Sequence, residues 1–326
     1  KMTYAVDIVI VNWNAGDALV QCVTSIAENT ANLVRRIIIV DNASSDGSIE
    51  ALPQISGIEL VIIRNPENRG FSVACNQGAI RSSSDYLLFL NPDTLLKTNS
   101  LAPAVAFISN SQHARIGVVG VRLLDERGRT QRSCARFPTA AALLGQAAGF
   151  DRLFPRFFPS HFLRDWDHED TRPVDQVMGA FLLIRRSLFK EIGGFDERFF
   201  VYYEDVDLCL RVHQYGFQVV HLAYAFAVHH GCGTTARIPD TRLFLLWRSR
   251  LLYAAKHFSS LGFISAIFAT LVAEPMVRVG YALARRQPVE ALAVGRAYVR
   301  MILSLLPQLG VLFSFLRRYN HPPSGL

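Results

Sequence analysis

The chain predicts an α/β protein in which a mostly parallel sheet is flanked by helices and followed by a basic, apolar helical region. Three observations carry this. Four short runs rich in β-branched or aromatic residues, at 6–11, 37–40, 60–63 and 86–90, are each followed by a polar turn. Helical patterns separate most of them, and strands alternating with helices build βαβ units with parallel pairing and right-handed crossovers. Charge is also segregated, because residues 1–240 hold 23 Lys+Arg and 25 Asp+Glu whereas 241–326 hold 11 and 2. The net charge of +7 therefore comes entirely from the last quarter.

The first run, VDIVIV, ends at Asn12-Trp13-Asn14. Residues 17–28 then place Leu19, Cys22, Val23 and Ile26 on one helical face. The second run, IIIV, opens into Asp41-Asn42-Ala43-Ser44-Ser45-Asp46, and 46–52 reads as a short helix that Asp46 caps. LVII at 60–63 leads into Asn65-Pro66-Glu67-Asn68-Arg69-Gly70 and a helix over 70–80, and YLLFL at 86–90 runs into Asn91-Pro92-Asp93. Ligands of such sheets bind beyond the carboxyl ends of the strands, so these polar turns are the candidate site. Neither GxGxxG nor GxxxxGK[ST] is present, which excludes a dinucleotide fingerprint and a P-loop. The turns offer carboxamides and carboxylates for a base and ribose, an arginine for phosphate and an aspartate for a metal.

Farther along, a helix is expected from Glu204 to about Tyr215, with Asp207 and Arg211 forming an exposed i,i+4 pair worth roughly 0.2–0.5 kcal/mol. Between 137 and 175 an Ala-rich helix leads into Phe150, Phe154, Phe157, Phe158 and Phe162, suited to a lid or to a loop folded on itself. In the tail, the uncharged stretches 257–273 and 301–316 are shorter than the ~18–20 apolar residues of a span, and Pro307 interrupts the second. With Arg278, Arg285, Arg286, Arg296, Arg300, Arg317 and Arg318 beside them, they suit helices lying on an anionic membrane surface. A helical subdomain with a solvated basic face, or a surface pairing two chains as a homodimer, fits the same pattern.

The 326 residues are 50% apolar and 19% charged, which excludes a disordered, collagen-like or disulfide-stapled chain. Five scattered cysteines predict a reduced compartment and no zinc knuckle. Nucleic acid is not an expected partner, because the arginines are interleaved with aliphatic runs. The opening strand pattern predicts no secretory signal.

The ordered set VIVNWN, VDNASSDGS, NRGFSVACNQG, LFLNPDT, GAFLLIRR, GGFDERFFVYYEDVDLCLR and HHGCGTT, spanning about 5–235, resembles the family 2 glycosyltransferases with a GT-A type fold. Within them it is most similar to the bacterial rhamnosyltransferase-like branch. The resemblance implies a catalytic domain over 1–240, with a nucleotide-binding half at about 1–100 and an acceptor half at about 101–240; the basic, apolar helical region over 241–326 carries no motif of the family. It implies that Asp41 accepts a hydrogen bond from the base, that Asn12, Asn14 and Asn68 complete the nucleotide side, that Arg69 meets the diphosphate and that Asn76 reaches the ribose. Asp93, in an Asn-Pro-Asp form of the family's DXD motif with Asn91 replacing the first Asp, would hold a divalent cation, Mg2+ or Mn2+, together with His229. Asp205 would be the general base beside Glu204, and Gly179, Ala180 and His230 would face the acceptor or the donor sugar. The implied activity is inverting, metal-dependent transfer of a sugar, L-rhamnose from a dTDP-activated donor, to a polyprenyl-diphosphate-linked saccharide. The implied place is peripheral, at the cytoplasmic face of the inner membrane, in O-antigen or cell-wall polysaccharide assembly. A UDP- or GDP-linked donor, or a catalytically silent membrane-bound scaffold of the same fold, are the alternatives.

Overall fold

The computed structural model describes residues 6–30, 33–154, 156, 163, 166–231 and 238–320, with side chains at 152, 153 and 306–320 excepted. Four parallel strands begin the sheet: β1 (Val6–Asn12), β2 (Val34–Asp41), β3 (Glu59–Arg64) and β4 (Tyr86–Leu90). The remaining strands are β5 (Thr94–Leu96), β6 (Ile116–Leu124), β7 (Cys134–Ala135), β8 (Arg172–Val174), β9 (Gln176–Val177), β10 (Phe181–Arg185) and β11 (Gln218–His229). The main sheet runs β3-β2-β1-β4-β10-β6-β11-β5 with β8 beside β11, and β7 pairs β9 in a small ribbon. Most of the paired length is parallel, with β10 inserted antiparallel between β4 and β6.

Every residue of β1 and β4 is buried, as expected for strands covered on both faces. Alternation sorts them: Ile8 and Ile10 pack with Leu19, Val23 and Ile26 of α1 (Asp17–Asn29) and Val105 of α3 (Leu101–Ser109). Val9 and Val11 face the opposite layer, with Ala74 and Ala79 of α2 (Phe71–Ile80), α6 (Arg186–Glu191) and Leu208 and Val212 of α7 (Glu204–Gln214).

The last elements form a helical cluster of α8 (Pro239–His257), α9 (Ser260–Phe268), α10 (Glu274–Ala284) and α11 (Pro288–Asn320). It recruits α4 (Ala140–Ala147), whose Leu143 and Ala147 pack with Leu243, Trp247 and Leu251 of α8; the short α5 (Phe150–Leu153) follows α4. A π-helical stretch, Ala269–Ala273, joins α9 to α10, so one helix runs Ser260–Ala284, 25 residues long. By length and composition it could cross a membrane, which corrects the expectation that the apolar stretch stops short at Ala273. Glu274 does not end it, because its carboxylate is buried and neutralised by Arg250 and Arg278. Similarly, α11 passes through Pro307 instead of breaking there. Of the expected Phe-rich segment, Phe150 and Phe154 are exposed and meet edge-on with ring centres 6.3 Å apart, whereas Phe157, Phe158 and Phe162 lie outside the described residues.

Candidate active site

Three loops at the carboxyl ends of β1, β2 and β3 are tied together by side-chain amides. Asn12, fully buried, directs Nδ2 to Asp41 Oδ1 at 2.8 Å, Ser48 Oγ at 2.9 Å and Ser44 Oγ at 3.0 Å. Asp41 takes its second bond from the Ser44 N–H at 3.2 Å. Asn14 sits at φ 51° and accepts from the Ser45 N–H at 2.8 Å, while its own N–H donates to Ser44 Oγ at 2.9 Å. Asn12 and Asn14 thus hold the 41–48 loop around Asp41. Asn42 reaches the Gly70 carbonyl at 3.1 Å and accepts from Asn65 at 2.8 Å, which brings in the third loop.

Residues 46–52 form turns instead of the expected capped helix. Asp46 is drawn across the cleft to the Gly16 N–H at 2.7 Å as well as to Ser48 at 2.6 Å. Burial alone would raise its pKa, but these bonds hold it below the ordinary value.

Asn68 Oδ1 accepts from the Gly70 N–H at 3.0 Å, leaving Arg69 exposed at the rim. Gly70 has φ 86°, and a Cβ there would lie 2.6 Å from the Phe200 carbonyl oxygen. Its close approach is therefore to Phe200 of its own chain. Asn76 is a correction. Both ends of its amide are committed to the backbone of Phe195 at 2.9 Å, with Glu197 at 3.1 Å, so it fixes the Gly193-Gly194 turn and does not reach toward a ribose.

Across the sheet, Asp93 and His229 come together, with His229 Nε2 3.4 Å from Asp93 Oδ1. Burial would raise the Asp93 pKa; the hydrogen bond and charge of His229 bring it below the ordinary carboxylate value. Gln131, which nothing in the sequence marks, clamps His229 from both sides: its Oε1 lies 2.9 Å from Nδ1 and its Nε2 donates to the His229 carbonyl at 2.7 Å. His230 turns away, to Glu126 at 2.6 Å. No group of three or more His, Cys, Asp or Glu side chains suited to a metal occurs among the described residues. One carboxylate and one imidazole suit an ion that takes its other ligands from a diphosphate.

The acidic pair stands at the start of α7. Tyr202 and Tyr203 precede it at φ 68° and 67°, two consecutive left-handed residues that cost on the order of 1–3 kcal/mol each and are held by tertiary contacts. Tyr203 is buried beside Phe199, Val206 and the ring of Tyr253 at 5.5 Å. Asp205 Oδ2 accepts from the Gly179 N–H at 3.1 Å and Oδ1 from its neighbour Val206 at 2.8 Å. Burial raises the pKa of Asp205 and raises Glu204 much further, with the Asp205 charge as the second cause. Glu204 Oε2 is buried with no hydrogen-bond partner among the described residues. The arrangement favours a neutral Glu204 and an anionic Asp205. Gly179 thus serves as the anchor of Asp205. Ala180 is fully buried, its carbonyl accepting from Asn91 N–H and Thr94 Oγ1 at 3.2 Å, so its side chain does not face a sugar.

Asp207 also departs from expectation. It is not an exposed partner of Arg211 but is fully buried, with Arg211 Nε at 2.8 Å, Lys256 Nζ at 2.6 Å and His257 Nε2 at 2.7 Å. Two of these side chains come from α8, so Asp207 joins the helix carrying Asp205 to the C-terminal cluster. Between the two lies a cavity of about 850 Å³ that Glu204 and Asp205 line.

The family model for glycosyl transferase family 2 matches residues 7–193, and one described as the N-terminal domain of galactosyltransferase matches 160–230. The N-acetylglucosaminyl-diphospho-decaprenol L-rhamnosyltransferase of Mycobacterium tuberculosis is 27% identical over 274 residues, covering 79% of this chain and 86% of that protein. Rhamnosyltransferase WbbL of Escherichia coli K12 is 26% identical over 60% of this chain and 72% of its own length. In architecture the chain is similar to a mannosyltransferase of Pyrobaculum calidifontis, solved with GDP-Man and Mn2+, at a TM-score of 0.55 and 16% identity over 93% of this chain and 88% of the other. The loops around Asp41, the Asp-His pair and the sheet that positions them fall where these matches run, and the chain belongs to glycosyl transferase family 2.

Proposed function

We propose that the protein is an inverting, metal-dependent rhamnosyltransferase that moves L-rhamnose from a dTDP-linked donor to a polyprenyl-diphosphate-linked saccharide. The carrying observation is Asp205, a half-buried carboxylate fixed by the Gly179 N–H at the wall of a cavity and kept from a second negative charge by Glu204. The relatives named above as rhamnosyltransferases support the sugar, and the decaprenol-linked substrate in the name of one supports the acceptor.

In this mechanism Asp205 takes the proton of an acceptor hydroxyl as that oxygen attacks the anomeric carbon. The bond from that carbon to the diphosphate breaks with inversion, and the nucleoside diphosphate leaves. Asp93 and His229 would hold a divalent cation, which would supply positive charge against the leaving diphosphate. Asp41 receives the base, and Arg69 at the rim faces the phosphates. The basic C-terminal helices rest on the cytoplasmic surface of the membrane. Residues of α10 line the same cavity as Asp205, which supports a helix lying at the interface over one crossing the membrane.

Donor hydrolysis across a panel of dTDP, UDP and GDP sugars, with and without Mg2+ or Mn2+, tests the reading. Metal-dependent turnover of one donor supports it, whereas binding without turnover, even with lipid-linked acceptor, excludes it.

A further inference from the structure

We infer that the cavity between α7 and the C-terminal helices seats the diphosphate of the lipid-linked acceptor, with Arg242 and Arg278 as its phosphate ligands. This rests on the transferase reading above and assigns to it a subsite in the C-terminal region. The walls are distinct: Asp205 stands on one side, while α8, α10 and α11 close the other. Asp93, His229 and the 41–48 loop do not line it, whereas Asp205 does.

The cationic side chains of the wall are not equivalent. Arg250 is buried and paired with Glu274, and it joins α8 to α10. Arg278 is held to that same carboxylate through Nε at 2.7 Å and is half exposed, which leaves its two terminal nitrogens without a partner among the described residues. Arg242 is exposed and makes no side-chain hydrogen bond or ion pair among them. One glutamate thus sits between two arginines, Arg132 is a further arginine of the wall, and Arg242 has no carboxylate within ion-pair distance among the described residues. Two guanidinium groups with unused donors, one of them pre-oriented by an ion pair, match the several acceptor oxygens of a diphosphate. Carboxylates line the cavity as well: Asp205 at the acceptor end, buried Asp151, Glu204, which is held toward its neutral form, and Glu290, exposed on α11.

Val277 and Tyr281 continue the wall outward and are 45% and 49% exposed. On the same helix Met276, beside Val277, and then Val272, Phe268 and Ile264 are exposed at a spacing of four along Ser260–Ala284. A soluble sugar phosphate has no use for such a stripe. An amphiphile with a diphosphate between a saccharide and a prenyl chain uses all three parts: hydroxyl toward Asp205, diphosphate on Arg242 and Arg278, chain along the apolar helix face.

The test uses the full chain in detergent and two synthetic acceptors, N-acetylglucosamine joined to a short prenyl chain through a diphosphate and the same sugar as an alkyl glycoside of equal chain length. The native protein is expected to have the lower KM for the diphosphate acceptor. Arg242→Ala and Arg278→Ala should each erode that preference about tenfold, and Arg242→Lys should restore much of it. A preference that survives both alanine variants, or that was absent in the native protein, overturns the assignment. If no sugar is transferred at all, calorimetry of the diphosphate acceptor without donor still decides the site. Binding that Arg242→Ala removes upholds the site and sinks the transferase reading alone, and no binding sinks the site.

Discussion

His229 meets Asp93 because β11 and β5 are antiparallel neighbours in which His229 pairs with Thr94, so the residue before β5 is brought to the imidazole at the end of β11. The pair is held by Gln131, whose amide uses both ends on His229.

Gln131→Ala should therefore weaken divalent-ion affinity roughly 10–100-fold, the usual loss when a group orienting a metal ligand is removed. Titration of Mn2+ against donor hydrolysis measures it. Saturating metal should recover most of the rate.

Glu204→Gln should stabilise the fold at neutral pH by about 1 kcal/mol or more. The Glu204 pKa is raised by burial and by Asp205, so between the ordinary carboxylate value and the raised one the folded chain holds a proton that the unfolded chain has lost. Stability then falls as pH rises through that window. Melting curves should show the gain at pH 7–8 shrinking toward pH 4. For the same reason the acid limb of kcat/KM should lie above the ordinary carboxylate range, since Asp205 must be ionised to act.

Asp207→Asn should cost about 3 kcal/mol, because it removes the anion on which Arg211, Lys256 and His257 converge. Burial would raise the Asp207 pKa, but His257, Arg211 and Lys256 together bring it below the ordinary value. Its contribution is present above the ordinary carboxylate pKa and disappears as pH falls through the depressed one. Denaturant curves of the variant should lack that acid transition.

Gly70→Ala should destabilise by roughly 1–3 kcal/mol, since both the positive φ and the Phe200 carbonyl resist a Cβ. Thermal melting checks it, and donor affinity should fall with the displacement of the 65–70 loop.

The strands and the order of their polar ends were legible because apolar runs of four to six residues bounded by Asn, Asp and Gly have few other structures open to them. YLLFL is β4 residue for residue, and the face Leu19, Cys22, Val23 and Ile26 is buried as its spacing requires. Partners distant in sequence were not legible. Nothing local shows that Asp207 will meet Lys256 and His257, that Gln131 will clamp His229, or that Asn76 will be consumed by the turn at Phe195. The Ser260–Ala284 helix was hidden by Glu274, whose charge interrupts an apolar run in sequence and is cancelled by Arg250 in space.

The most direct measurement is single-turnover transfer by Asp205→Asn with donor and diphosphate-linked acceptor both saturating. The account predicts a fall in rate of about 10²–10⁴-fold with donor affinity kept, and only a modest change for Glu204→Gln. A variant that transfers sugar at the native rate, or that fails only through lost donor binding, would contradict the assignment of Asp205 as the base.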